Sequence, residues 1–235
     1  MRGKLVKVLS LGAALLCVAS LLLGAACGNG SGARFRYVQA ATGSPGTNVD
    51  VDVDNNKVLT GIAYGSAGTY QNISSGSRQF EIFLTNTTTN PFFNGSVPLN
   101  KGDNTVVTDG TFGTIGMDVF TDDNVAPTSG DVKIKFIHVA PSAGVIDIYV
   151  VPTGQGIGGL APQISSLSYK SATALKPLIS AGAYEVVMTQ TGTQNPVSGL
   201  DVTYTWTAGQ VRTIVILDNS PGGSPYQQLV LTDAN

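Results

Sequence analysis

Three aspartates at every second position, Asp50, Asp52 and Asp54, run into Asn55 and Asn56 in the stretch VDVDVDNN. Clustered oxygen ligands of this kind could hold calcium. An EF-hand loop counted from Asp50, however, needs Gly at its sixth position and Glu at its twelfth, where this chain has Asn55 and Gly61. The intervening Val49, Val51 and Val53 supply the other explanation, because a period of two places valines on a buried strand face and aspartates on a solvated one. The strand is the preferred reading, and Asp50, Asp52 and Asp54 stay as a weak metal candidate.

Other groups with chemical potential are sparse. His138 is the single histidine, so a histidine-rich zinc site cannot be assembled in one chain, and a Ser-His-Asp or Cys-His site has little to build on. The neighbours Asp122 and Asp123 leave an acid-pair hydrolase as a remote alternative. GQGIGG, Gly154 to Gly159, matches a phosphate-loop pattern, but Pro162 follows at once and no helix can open to cradle a phosphate. It reads instead as a long hairpin loop. Trp206, in VTYTWTA, could offer a sugar-stacking platform or fill a core.

The elements that position these residues begin after a leader. Arg2, Lys4 and Lys7 precede an apolar run from Val8 to Ala26, which closes on small residues before Cys27. LLLGAAC resembles a bacterial lipobox, which implies removal of residues 1–26 and lipid attachment at Cys27. Residues 27–33 then form a flexible tether containing GNGSG. Cys17 lies in the leader and Cys27 is used by the lipid, so the folded part has no disulfide. Without the leader, 10 basic residues face 15 acidic ones, which argues against nucleic acid as a partner.

Beyond the tether, short alternating runs bounded by Gly, Pro, Asn and Asp predict an all-β fold. RFRYVQAATGSPGTNVDVDV at 34–53 lines up with KIKFIHVAPSAGVIDIYV at 133–150, placing Gln39 opposite His138. Tyr64 falls opposite Tyr169, Phe80-Glu81-Ile82 opposite Tyr184-Glu185-Val186, and Val97 and Leu99 opposite Tyr204 and Trp206. The expected organisation is two tandem antiparallel β-sandwiches of immunoglobulin-like type, residues 34–124 and 131–235, each with its own core and joined by a linker around Pro127. Aliphatic counterparts favour a core role for Trp206, and a glutamine counterpart favours a structural role for His138.

KFIHVAPSAGVIDIYV resembles the signature of the bacterial envelope family called domain of unknown function 4397. His138, Ala140, Pro141, Asp147 and Tyr149 match its motif; the first copy keeps Ala41 and Asp50 but has Gln39 and Asp52 for His and Tyr. The resemblance implies exported β-sandwich proteins, often lipoproteins, and no catalytic residues or cofactor. The resulting expectation is a lipid-anchored envelope protein, at the outer membrane or cell surface, acting as a non-catalytic binding, adhesion or structural module. Its partners would be the membrane, through Cys27, and an envelope or extracellular protein or glycan. A carbohydrate-binding surface is the alternative.

Overall fold

The computed structural model describes residues 32–43, 48–111, 113–174 and 179–234, and Cys27 lies outside them. The N-terminal half contains β1 (Gly32–Gln39), β2 (Val49–Val53), β3 (Asn56–Ile62), β4 (Ser66–Ala67), β5 (Gln71–Ser74), β6 (Gly76–Leu84), β7 (Phe93–Leu99), β8 (Gly102–Asp109) and β9 (Gly116–Asp122). The C-terminal half contains β10 (Asp131–His138), β11 (Ile146–Pro152), β12 (Ile164–Leu167), β13 (Ser171–Ala172), β14 (Ile179–Ser180), β15 (Gly182–Gln190), β16 (Pro196–Trp206), β17 (Val211–Leu217) and β18 (Gln227–Ala234).

These strands form sheets ordered β3-β2-β6-β7, β4-β1-β8-β9, β13-β10-β17-β18 and β12-β11-β15-β16, with β5 also on β1 and β14 also on β10. Strand for strand, β10 to β18 repeat the pairing of β1 to β9. The fold is all-β and its sheets stack as sandwiches, as the alternation predicts. Two ladders, β1 with β8 and β10 with β17, are parallel, so the two sheets that contain them are mixed.

Register corrects one sequence alignment. Val49 pairs with Leu84 while Ile146 pairs with Gln190, so Phe80 corresponds to Val186 rather than to Tyr184. A two-residue slip leaves every side chain on its own face, which is why the sequence pattern does not reveal it.

Each half has its own core. Phe35, Tyr37, Val51, Phe80, Ile82 and Val106 fill the first, with Phe35 and Phe80 edge to face at 5.2 Å. Ile134, Phe136, Ile148, Met188, Trp206 and Ile214 fill the second. Between the halves lies a third cluster, with Val38, Ala40 and Val107 from one side and Ile137, Val139, Val215, Leu217 and Leu231 from the other. On β10, Ile134 and Phe136 therefore face their own sandwich while Lys135 and Ile137 face the other half. The central strands β1, β8, β10 and β17 are covered on both faces, and the described residues cluster as one compact unit.

Val107→Asp puts an unpaired carboxylate in the shared cluster and touches neither half's own core. Equilibrium denaturation followed by Trp206 fluorescence and by far-ultraviolet circular dichroism should then give two separate transitions. Coincident curves would show that the halves do not depend on this contact.

Candidate functional site

The family-motif aspartate is a structural tie. β2 and β11 each face a register shift in the neighbouring strand, between Val49 and Val51 and between Ile146 and Ile148. The bulged residues, Gly61 (φ +71°) and Ser166 (φ +56°), have left-handed backbone, and their N–H groups leave the ladder. Asp50 Oδ1 accepts the Gly61 N–H at 3.0 Å and the Thr85 hydroxyl at 2.8 Å, while Oδ2 takes Lys57 Nζ at 2.7 Å. Asp147 repeats the arrangement, accepting from Ser166 N at 2.7 Å, Thr191 Oγ1 at 3.2 Å and Gly192 N at 2.9 Å.

Both aspartates are buried, which corrects the expectation of a solvated acidic face. Burial alone would raise their pKa, but the converging donors outweigh it and hold both below the ordinary aspartate value. Asp52 is half-buried. Asp54 is exposed, accepts Gln79 N at 3.1 Å, and forms with Asn55 a tight turn in which both residues have positive φ. VDVDVDNN is thus a strand running into a hairpin. Among the described residues no three histidine or carboxylate groups converge on a possible metal position.

His138 is fully buried at the end of β10. Its Nδ1 accepts the Ala140 N–H at 3.3 Å and its Nε2 meets the Gly144 carbonyl at 2.7 Å, which fixes the neutral ring with the proton on Nε2. Burial also lowers its pKa, so it clamps the turn that Pro141 opens. Tyr149 lies on the outer face of β11 with Val151 and Val187, and Ile157 and Leu160 cover all three. The loop Gly154 to Gly159 is therefore a lid on an apolar sheet face, pinned where Gln194 Nε2 donates to the Ile157 and Leu160 carbonyls at 3.0 and 3.2 Å. At the matching positions the first half has Asp52, Asp54 and Glu81, and no such loop. Trp206 stacks on Tyr204 at 5.3 Å and on Tyr184 at 5.7 Å inside the core, so it offers no platform.

The junction between the halves holds a charged group that strand alternation alone does not disclose. Arg36 (β1) pairs with Asp233 (β18), and Lys135 (β10) pairs with Asp122 (β9) at 2.9 Å. Arg36 sits opposite Thr105 and Lys135 opposite Thr213, so the two pairs occupy matching places in the two halves and each crosses to the other half. Asp122 Oδ2 also accepts from the Thr105 and Tyr70 hydroxyls at 2.7 and 2.8 Å. Thr213 donates to Asp233 at 2.7 Å. Asp123, the other member of the acid pair, is at the surface with Lys133 at 2.6 Å, so the two acids do not converge.

A second crossing tie joins Lys170 to Asp109 and Asp118 at 3.0 and 3.1 Å. Two clefts flank the junction. One of about 450 Å³ is lined by Arg36, Ala67, Tyr70, Leu229 and Thr232; its counterpart of about 340 Å³ is lined by Thr121, Asp122, Lys135, Thr173 and Ala174. The sequence signal for this junction is the pair of cations at alternate positions in RFRY and KIKF, opposite threonines.

The geometry defines an all-β scaffold in which buried charges tie loops and halves together. Residues 34–149 match the family model of DUF4397, a domain of unknown function, and this part of the chain belongs to that family. The match runs from β1 into β11, and residues 150–235 lie outside it. No curated protein matches the chain. A leucine-rich repeat protein from Bacteroides thetaiotaomicron VPI-5482 aligns at 12% identity with a TM-score of 0.21, over 83% of this chain and 27% of its own length. That overlap defines neither fold nor function.

Asp147→Ala strands the donors of Ser166 and Gly192 and should cost about 2–4 kcal/mol in urea denaturation, whereas Asp52→Ala should stay within about 0.5 kcal/mol. A comparable loss from both would remove the special role of the buried acid.

Stability should also depend on pH in two opposed ways. Burial raises the pKa of Asp118, with the Asp109 charge adding to it, and burial raises that of Asp233 against the pull of Arg36. A raised carboxyl binds its proton more tightly when folded, so stability from these groups is present at low pH and lost as pH rises through the folded value. Asp50, Asp103, Asp123 and Asp147 are lowered, so their contribution is present above the unfolded value near 3.9 and lost below it. The urea midpoint should therefore rise on mild acidification from neutral pH and fall again below about pH 3.9. Asp118→Asn should flatten the rise; an unchanged profile would contradict the assignment.

Proposed function

We propose that this chain is an exported, lipid-anchored bacterial envelope protein, built from two tandem copies of one domain and acting as a non-catalytic binding, adhesion or structural module. The observation that carries the proposal is the run LLLGAAC, a basic leader and apolar stretch ending at Cys27, followed by the short tether GNGSG. A tether of that composition lets a folded body stand off a membrane. The body's own chemistry supports a passive role. The buried acids Asp50 and Asp147 are engaged by internal donors, and His138 is clamped within its turn, which supports positioning roles for these groups. The repeated strand pairing of the two halves supports the tandem-copy reading.

The test is Cys27→Ser in the full chain. It should abolish labelling by a palmitate analogue and move the protein from the membrane to the soluble fraction, with its circular dichroism unchanged. Retention on the membrane without any label in the wild type would overturn the anchor.

A further inference from the structure

Lysine–carboxylate contacts recur in this protein, and their surroundings separate one from the rest. In the pairs Lys57–Asp50, Lys170–Asp109 and Lys133–Asp123, one partner's side chain remains 41%, 39% and 56% exposed, respectively. Water solvates those pairs. In Lys135–Asp122 the exposures are 3% and 1%. Burial lowers the lysine pKa even with the aspartate beside it, and the ammonium lies 5.9 Å from the centre of the Phe120 ring. A desolvated lysine is a nucleophile.

The other half of the junction provides an internal contrast. Arg36 occupies the place matching Lys135 and makes the matching pair with Asp233. A guanidinium is never deprotonated in a protein, so that pair can only be ionic; a lysine amine can do more. The aspartate is also prepared asymmetrically. Oδ2 is held by the Tyr70 and Thr105 hydroxyls, at 2.8 and 2.7 Å, while Oδ1 faces Lys135 Nζ at 2.9 Å.

We propose that Lys135 and Asp122 condense to an isopeptide bond, an amide between Lys135 Nζ and Asp122 Cγ that joins β10 of one half to β9 of the other. Proton transfer within the contact turns the ion pair into an amine and a carboxylic acid. The amine attacks Cγ, forming the N–C bond and leaving negative charge on Oδ2, where the two hydroxyls donate. The new ammonium centre gives one proton to the Oδ1 hydroxyl, the C–Oδ1 bond breaks, water leaves, and the charge on Oδ2 collapses to the amide carbonyl. No oxidant or co-reactant is needed, since one ammonium and one carboxylate become one amide and one water. Holding the two groups in contact replaces an encounter between separate molecules, which is how an uncatalysed amide condensation becomes feasible. The bond would supply a covalent tie in a folded region that has no cysteine.

Peptide mapping of the purified full chain tests this without any variant. Trypsin should cut after Lys133 but leave Lys135 intact, and the segments 102–133 and 134–170 should appear joined and one water lighter than the sum of their sequences. Separate segments of full mass, with cleavage after Lys135, would overturn the proposal. Lys135→Arg keeps the ionic contact but cannot form the amide, so segment 102–133 should be released at full mass. Joined segments in that variant would overturn the choice of Lys135.

Discussion

The structure depends on burying a charged sheet face. In both halves the strand that opens the sandwich carries cations on the side turned away from its own core, Arg36 on β1 and Lys135 on β10, and that side becomes the contact between the halves. Removing such charges from water is costly unless each meets an opposite charge and further donors or acceptors. Here each cation finds an acid supplied by the other half, at the end of β9 or β18. Arg36 also lies 3.8 Å from Asp122 of its own half, so the two pairs meet at one buried group. The junction therefore selects a particular partner surface and a particular register, while Val38, Val107, Ile137 and Val215 provide the apolar contact area around it.

Away from the junction, the same economy of polar groups shapes each sandwich. A bulge turns a backbone N–H out of its ladder, and a buried acceptor must be found for it. Asp50 and Asp147 meet that need at equivalent points, which explains why each of β2 and β11 carries a buried aspartate. The two outer faces diverge. The first is polar, with Asp52, Asp54 and Glu81 in contact with water; the second carries Tyr149, Val151 and Val187 and needs the lid that includes Ile157 and Leu160. The loop Gly154 to Gly159 and the apolar face under it are one adaptation.

Much of this was legible in the sequence. Alternation located eleven of the strands but not β3, β4, β5, β7, β12, β13 or β14, Pro and Gly located turns, and comparison of the halves pointed to a buried Trp206. Those readings hold because period and turn chemistry are local properties, set by backbone geometry within a few residues. The residue-by-residue correspondence of β6 and β15 was not legible, since a slip of two residues preserves the pattern of faces.

What the sequence by itself determined is the all-β class, most of the longer strands, and which residues share a face. What only the tertiary structure decided is what covers each face. Asp50 looks like a solvent-facing residue in VDVDV, and Lys133 and Lys135 look the same in KIKFIH, yet Asp50 and Lys135 are buried and Lys133 nearly so. Alternation distinguishes one side of a strand from the other, but it cannot tell water from a second charged surface. That distinction rests on contacts between residues nearly 200 positions apart, such as Arg36 and Asp233, and it exists only once the two halves have come together.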